Sequence, residues 1–262
     1  MNDVLQQLDI FFNPPQQFKF NEDKHQYSYD KILYTSVTTF ITRFKKNFDS
    51  DYWLHYKAKE RQIPIQQLAQ EWKGKSDLGL KIGSLFHKWV EDFLNNLNPE
   101  LPKIDYDIDT YKAKEIESLL CIRIQKWLIM YQQKLYKMIP VAQELRVWSK
   151  RWRLAGTIDA LFWYKNRLIV GDWKSNKAFR TDTDKIYDFL LWPFDLNADN
   201  HHNMYSLQVS LYRLLLEEHN IITGPSFICW VPVDEKTNAQ FIRSKDYRHI
   251  LREYLNDNVQ LN

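Results

Sequence analysis

The chain has 262 residues, of which 44% are hydrophobic and 26% are charged, and its formal net charge is +3. These values fit one globular unit with a sizeable core or two small lobes. No stretch approaches the roughly 18 uncharged apolar residues of a membrane-spanning helix. The N-terminus lacks the basic region and cleavage site of a secretory signal, so we expect an intracellular protein without membrane contact.

Two cysteines, Cys121 and Cys229, are too few for a disulfide framework or an iron–sulfur cluster. The mildly basic charge is compatible with nucleic-acid binding but does not indicate it. The aromatic content is more unusual, with 10 Trp, 15 Tyr and 15 Phe. We expect most of these rings in the core and a few as stacking platforms for unpaired bases.

The N-terminal part reads as a short helix over residues 1–15, followed by a small antiparallel β unit over residues 18–34. Ser36 can cap a helix that ends near residue 46. Residues 50–73 predict one or two further helices, in which aromatic and basic residues interleave. This pattern suits either a nucleic-acid-binding lip or a solvated helix with an aromatic face in the core.

A long helix is predicted from a cap at Asp77 to about Leu97, with an apolar stripe along one side. His87 lies beside that stripe, one turn after Gly83. A lone helical histidine is more often structural than a metal ligand. Glycine inside a helix costs about 1 kcal/mol against alanine, so a close neighbour is one reason for Gly83.

Asp105, Asp107 and Asp109 alternate as in a calcium loop, but the required Gly and Glu positions are not met. We therefore predict a polar linker there. A helix over residues 110–138 follows. Pro140 is expected to end it, and a strand over residues 141–149 carries Glu144.

The next segment predicts a β-hairpin, because two β-branched and aromatic runs, residues 154–164 and 167–173, flank a polar Lys-Asn pair. A two- or four-residue loop centred on that pair places Asp159 directly across from Asp172. The same register places Thr157 across from Lys174. Both faces of the hairpin are otherwise apolar, which is typical of a sheet covered on both sides.

Facing carboxylates have Cβ atoms roughly 4.5–5.5 Å apart and repel each other. A divalent cation converts that repulsion into a ligand pair, because hard cations prefer oxygen ligands. Lys174 shares the face of Asp159 and Asp172, since strand side chains alternate. Trp173 points to the other face, so only its backbone carbonyl can look toward the metal. A solvated hairpin with ordinary surface charges is the alternative.

A polar loop over residues 178–200 is long enough to be a lid or gate. A helix over residues 201–219 follows, with Gln208 and Tyr212 on one face. Residues 226–233 predict a strand that pairs with residues 240–243, and a last helix covers residues 246–255. The chain has no glycine-rich phosphate loop, which excludes a nucleotide-driven motor.

The order of these elements resembles the PD-(D/E)XK nuclease superfamily, and specifically its RecB-like branch. It is similar to single-strand exonucleases of the mitochondrial genome maintenance type and to related phage nucleases. The segments LAGTIDALFWYKNRLIVGDWKSNK and LQVSLY carry the resemblance, which covers residues 83–232. It implies an α/β fold with a mixed central β-sheet flanked by helices and a helical N-terminal lobe. We expect residues 1–76 to form a wall of the DNA channel and residues 77–262 to form the nuclease core.

The resemblance also implies the roles of individual residues. The metal ligands would be the side chains of His87, Asp159 and Asp172 with the carbonyl of Trp173. Lys174 would orient or activate the attacking water. Glu144 matches a frequent acidic position on the preceding strand and is included among the catalytic residues. The residues expected to contact DNA are Ser175, Lys177, Gln208 and Tyr212.

The implied activity is hydrolysis of DNA, most of all single-stranded DNA, by an exonuclease that uses Mg²⁺ or Mn²⁺ and leaves 5′-phosphate and 3′-hydroxyl ends. A structure-specific endonuclease, a double-strand end-processing exonuclease and an RNA-directed nuclease remain open. So does a catalytically silent DNA-binding protein. The chain has no helicase motifs, so it acts alone or with a separate helicase or replication protein. Phage or other viral replication, repair or recombination is the expected setting.

Overall fold

The computed structural model describes residues 2–101, 110–234 and 236–258. Its helices are α1 (Asn2–Phe12), α2 (Val37–Ile41), α3 (Ser50–Arg61), α4 (Ile65–Leu94), α5 (Thr110–Met130), α6 (His201–Glu218) and α7 (Arg248–Asn258). Its strands are β1 (Phe18–Asn21), β2 (Gln26–Tyr29), β3 (Ile32–Ser36), β4 (Ile139–Ser149), β5 (Leu154–Tyr164), β6 (Arg167–Lys174), β7 (Phe227–Trp230) and β8 (Gln240–Arg243).

The strands form one mixed sheet in the order β1-β2-β3-β5-β6-β7-β8, with β4 paired to β5. The predicted α/β class with a mixed sheet flanked by helices is therefore confirmed. Strand β4 pairs along nearly the whole of one edge of β5. Strands β6 and β3 must then share the other edge, where β6 pairs with residues 160–164 and β3 with Leu154 and Ala155. Among the described residues, this leaves residues 156–159 facing a gap between the two strands.

The hairpin of β5 and β6 has the predicted register. Its ladder runs from Tyr164 opposite Arg167 to Ala160 opposite Gly171. The two turn residues both have positive φ, 47° and 60°, as the twist of a two-residue hairpin turn requires. Asp159 and Asp172 are the next pair in this register, just beyond the last paired residues.

Helices cover both faces of the sheet, as the two apolar faces of the hairpin predicted. Leu161 and Val170 pack in one core with α1, α2, α6 and α7. Phe162 and Trp173 pack in a second core with α4 and α5. The alternation of side chains along β5 and β6 thus sends neighbouring residues into different cores.

The prediction that Asp77 caps a helix is wrong, because α4 runs without interruption from Ile65 to Leu94. The interruption lies at Pro64, where ψ is 141° and the helix begins. A capping side chain has to precede its helix in an extended conformation, and Asp77 sits in the middle of one. The division into residues 1–76 and 77–262 stays a prediction, although residues 76 and 77 lie within this one helix.

Other boundaries differ by a few residues. The helix predicted to reach residue 138 ends at Met130 and is followed by a π turn, Tyr131–Leu135. Pro140 lies inside β4 instead of before it, which an edge strand tolerates. Ser36 does cap α2, since its hydroxyl accepts a hydrogen bond from the Thr39 N–H at 3.0 Å. The predicted linker aspartates lie outside the described residues.

The loop over residues 178–200 contains one isolated bridge, between Phe189 and Ala198, and no longer strand or helix among its described residues. Its irregular character agrees with the prediction, and a lid role stays a prediction. Across the described ranges, every helix is too short or too polar to cross a membrane.

Two glycines offer a matched test of the packing. A Cβ on Gly171 would lie 2.5 Å from the buried Phe227 ring, whereas a Cβ on Gly74 in α4 would have no atom within 4 Å. We expect Gly171→Ala to lower the free energy of unfolding by about 1–3 kcal/mol through overpacking. Gly74→Ala should raise it by about 0.5–1 kcal/mol through helix propensity. Urea unfolding measures both, and equal stability of the two variants would contradict the packing described.

Candidate metal centre

A cavity of about 560 Å³ opens at the gap in the edge of β5. Its walls come from α4, the end of β3 with the start of α2, β4, β5 and α6. Tyr27 of β2 lines the same cavity, and its hydroxyl lies 2.9 Å from the Thr157 hydroxyl. The N-terminal β unit and the sheet centre therefore meet at this cavity.

Three side chains offer metal-ligand atoms in this cavity. The ligand atoms of His87, Glu144 and Asp159 all lie within 4.8 Å of one another. His87 Nδ1 is 3.8 Å from Glu144 Oε1 and 3.7 Å from Asp159 Oδ2. These distances are too long for hydrogen bonds. The three groups thus surround a shared space, and they come from α4, β4 and β5.

The backbone of β6 holds Asp159 in place. The Trp173 N–H donates a 2.7 Å hydrogen bond to Asp159 Oδ2. Burial raises the pKa of Asp159, although the nearby His87 and Lys174 oppose that rise. For His87, burial lowers the pKa, but the carboxylates of Asp159 and Glu144 outweigh burial and leave it raised. Each pKa shift is thus the balance of burial against the attraction between opposite charges.

Asp172 lies beside this group and is fully buried. Its Oδ1 accepts hydrogen bonds from Lys174 Nζ at 3.0 Å and from Gln208 Nε2 at 3.1 Å. Its Oδ2 is 2.8 Å from Lys174 Nζ, yet the angles there do not make a hydrogen bond. Burial raises the pKa of Asp172 to about 6, with Lys174 as the main opposing group.

Lys174 is held in a cationic form. Burial lowers its pKa, but the attraction of Asp172 and Asp159 is larger, and the pKa ends above its ordinary value. The ammonium lies 4.8 Å from the centre of the Tyr205 ring. Sequence reasoning did not single out Tyr205. The available signal was its position three residues before Gln208, on the same face of α6.

Glu144 reaches the cavity from an unusual backbone conformation. Its φ is 47° within β4, between the pairs that Gln143 and Leu145 form with β5. A left-handed conformation at a non-glycine residue inside a strand costs of the order of 1–3 kcal/mol, and such residues cluster at functional sites. The backbone conformation of Glu144 therefore lowers the stability of β4 and places its carboxylate in the cluster.

Gln208 and Tyr212 form the floor of the cavity. Gln208 Nε2 also lies 3.1 Å from the Tyr212 hydroxyl, and both side chains are buried. A Cβ on Gly156 would lie 2.7 Å from the Tyr212 ring, so glycine is needed for this approach. Burial raises the pKa of Tyr212 well above its ordinary value. Contact of Gln208 and Tyr212 with DNA stays a prediction.

The remaining predicted residues lie near the end of β6. Ser175 lines the cavity, whereas Lys177 is exposed and outside its lining. The Trp173 ring packs in the second core, 5.8 Å from Trp127, and the role of its carbonyl stays a prediction. A Cβ on Gly83 would lie 3.5 Å from Ser175 Oγ. That is ordinary contact, so the approach of Ser175 does not require glycine.

Arg123 of α5 is a neighbour that the sequence did not reveal. Its Nη2 donates a 2.9 Å hydrogen bond to the Ser175 carbonyl, and burial lowers its pKa to about 10. Its Nε and Nη1 are buried without a hydrogen-bond partner among the described residues. Arg123 and Ser175 lie 52 positions apart, and only the packing of α5 against the sheet brings them together.

The residues present fit a divalent cation. One imidazole and two carboxylates converge, and Asp172 Oδ2 beside them is buried without a hydrogen bond. Buried polar atoms ordinarily have a partner, and carboxylate oxygens are ligands of hard cations. Of the predicted ligands, His87 and Asp159 converge with Glu144. Asp172 is not part of this group of ligand atoms and is bound by Lys174 and Gln208, so its role as a ligand stays a prediction.

The aromatic residues of α3 lie on the surface. Tyr52, Trp53 and Tyr56 are 58%, 41% and 49% exposed, so the alternative of an aromatic face in the core is wrong. The rings of Tyr52 and Tyr56 are stacked with their centres 6.3 Å apart. They are free to stack against an added planar group.

A model of the PD-(D/E)XK nuclease superfamily matches residues 52–260. No curated protein matches the chain. Among solved structures, the crystal structure of SSO0001 is similar at 11% sequence identity and a TM-score of 0.27. That match covers 57% of this chain and 64% of SSO0001, so the chain spans less than two thirds of it.

The ligand cluster predicts a measurable cation affinity. We expect Asp159→Asn and Glu144→Gln each to weaken Mn²⁺ binding at least about tenfold, because each removes one charged oxygen ligand. Isothermal titration calorimetry measures the affinity. Asp195→Asn, a change of the same chemistry at an exposed site, is the matched control. Unchanged Mn²⁺ affinity of Asp159→Asn would remove the cluster as a metal site.

Proposed function

The chain belongs to the PD-(D/E)XK nuclease superfamily, and from this premise we propose that it is a metal-dependent exonuclease acting on single-stranded DNA. Nucleases of this superfamily use divalent metals. The observation that carries the proposal is the convergence of His87, Glu144 and Asp159 in one cavity, directly beside the buried ion pair of Asp172 and Lys174.

The proposed ligands are His87, Glu144 and Asp159, with Asp172 and the Trp173 carbonyl beside them. A bound Mg²⁺ or Mn²⁺ ion would polarise the phosphate and lower the pKa of a bound water. The side chains of Asp159 and Lys174 would position the ion and the reacting groups. The Trp173 N–H holds the Asp159 carboxylate in position, and Asp159 lines the cavity.

Lys174 acts as a cation in this proposal. Its raised pKa makes the ammonium a poor general base at neutral pH, which favours orienting the water over removing its proton. The positive charge stabilises the charge that develops on the phosphate oxygens in the transition state. Asp172 Oδ1 accepts a hydrogen bond from the Lys174 ammonium and holds it in position, and Gln208 Nε2 donates to the same oxygen.

The preference for single strands rests on the walls of the cavity. The N-terminal β unit closes one side through Tyr27, and α4 closes another through His87. The cavity has a volume of about 560 Å³, which accommodates a few groups of one strand. The exposed rings on α3 are a stacking surface for unpaired bases. We propose residues 1–76 as one wall of the DNA channel on these grounds.

The finer assignments follow from the sequence resemblance and are part of the same proposal. They are the RecB-like branch, products with 5′-phosphate and 3′-hydroxyl ends, DNA contacts by Ser175, Lys177, Gln208 and Tyr212, and a separate helicase or replication protein as a partner. A viral or phage setting in replication, repair or recombination is likewise proposed.

The ion pair provides the test of catalysis. We expect Asp172→Asn and Lys174→Gln each to lower the rate of single-strand cleavage by at least about 100-fold, since each removes a charge next to the reacting phosphate. Labelled DNA with Mg²⁺ or Mn²⁺ measures the rate, and circular dichroism verifies the fold. Lys134→Gln, an exposed charge change, should retain full activity. Cleavage that survives Lys174→Gln would reject this site.

The exonuclease assignment has its own test. A linear single strand should be degraded to short products, while a circular single strand and a linear strand blocked at both ends should persist. A time course with 5′- and 3′-labelled strands measures the polarity. Cleavage of the circle at a comparable rate would instead establish an endonuclease, and faster cleavage of duplex or RNA substrates would reject the single-stranded DNA preference.

A further inference from the structure

A second cavity, of about 600 Å³, lies at the start of β5, where Leu154 lines it, whereas residues 156–159 further along the strand face the metal centre. It is formed by β3, the end of α2, the turn between β4 and β5, and α7. Four of its lining residues are cationic, namely Arg43, Lys150, Arg151 and Arg153, and none of its lining residues is acidic. No function assigned so far uses this cavity.

The four cations are exposed and available to a ligand. Among the described residues, none of them has a carboxylate oxygen within 4.0 Å, although 13 other basic side chains do. Three of the four cations lie over aromatic rings. Arg43 lies 5.3 Å from the Phe40 ring centre, Lys150 lies 4.1 Å from that of Tyr29, and Arg151 lies 5.9 Å from that of Trp152. Such contacts reduce the freedom that a cation loses when it binds an anion.

The turn between β4 and β5 has an unusual sequence. Turns are ordinarily rich in Gly, Asn, Asp and Ser, but this one reads Lys-Arg-Trp-Arg over residues 150–153. Arg153 has a φ of 49°, a left-handed conformation that favours glycine. The turn therefore carries three cations where turns usually have small polar residues, and one of the three adopts a backbone conformation that lowers stability.

The basic cavity and the metal centre are connected through two elements. Ser36 and Thr38, at the start of α2, line the metal-centre cavity, whereas Phe40 near its end and Arg43 just after it line the basic cavity. Along β5, Leu154 lines the basic cavity and Asp159 lies five residues further on, roughly 17 Å away at the rise of a strand. Several nucleotides of a single strand span that distance, at roughly 3.4 Å per nucleotide when stacked.

We propose that the basic cavity binds the phosphate backbone of the same DNA strand that enters the metal centre, several nucleotides from the site of cleavage. This inference rests on the proposed nuclease function. Cations on two separate elements suit consecutive phosphates better than one small anion, and the aromatic lining suits the bases between them. A strand long enough to reach both cavities should therefore bind more tightly than a strand that reaches only one.

The test compares two charge-matched triple variants. One carries Arg43→Gln, Arg151→Gln and Arg153→Gln. The control carries Lys134→Gln, Lys137→Gln and Lys165→Gln, which lie near the opposite end of the hairpin and outside both cavities. Fluorescence anisotropy in EDTA, where no metal-dependent cleavage occurs, measures affinity for single strands of about 20 and about 5 nucleotides at several salt concentrations.

For the cavity variant, we expect the slope of log affinity against log salt to become shallower by about 2, because three contacts are lost at roughly 0.7 each. Affinity for the long strand should fall at least about tenfold, and the ratio of long-strand to short-strand affinity should fall with it. The control should keep the wild-type slope and ratio.

An unchanged slope, or an equal loss for both strand lengths, would overturn the proposal. So would competition by inorganic phosphate as effective as competition by the long strand, since that result identifies a small-anion site. Circular dichroism establishes that both variants are folded. Binding is measured without cleavage, so the two proposals can fail independently. A wild-type protein without nuclease activity would reject the proposed function, whereas the binding results alone decide whether the basic cavity holds the strand.

Discussion

Two aspartates buried side by side, Asp159 and Asp172, are the constraint on which the site depends. Burial in a low-dielectric interior disfavours their charged forms and raises the pKa of both. The surroundings offset part of that cost through the Lys174 ammonium, the Trp173 N–H and the Gln208 amide. These three groups therefore stabilise the ionised carboxylates inside the protein. A metal-dependent site needs ionised carboxylates, because only these are strong ligands of a divalent cation.

The sheet topology explains why the charges gather at this point. On the same edge of β5, β6 pairs only with residues 160–164 and β3 pairs only with residues 154 and 155. A sheet paired along its whole length would cover this edge, whereas the gap leaves room for side chains from α4, β4 and α6 to converge. The N-terminal β unit supplies β3, so the segment before residue 50 shapes the cavity even though the family match begins at residue 52.

Much of this could be predicted from the sequence where neighbouring residues decide the structure. The hairpin register follows from its two-residue turn, the start of α2 from Ser36, and the helix break from Pro64. The long helix was misjudged because a candidate cap such as Asp77 is no evidence of a boundary without a break before it. The φ of Glu144 and the contact of Arg123 with Ser175 depend on tertiary packing, which no local pattern encodes.

Three residues that lower the stability of the fold lie in or beside the two cavities. Glu144 and Arg153 hold left-handed backbone conformations at non-glycine residues, and Arg123 is a buried cation without a described acidic partner. Each lowers stability in the absence of ligand. A ligand that binds only the folded chain adds stability by mass action, so a metal ion and a polyanionic strand would offset these costs together. Ligand binding is therefore expected to offset part of the stability that these three residues cost the unbound chain.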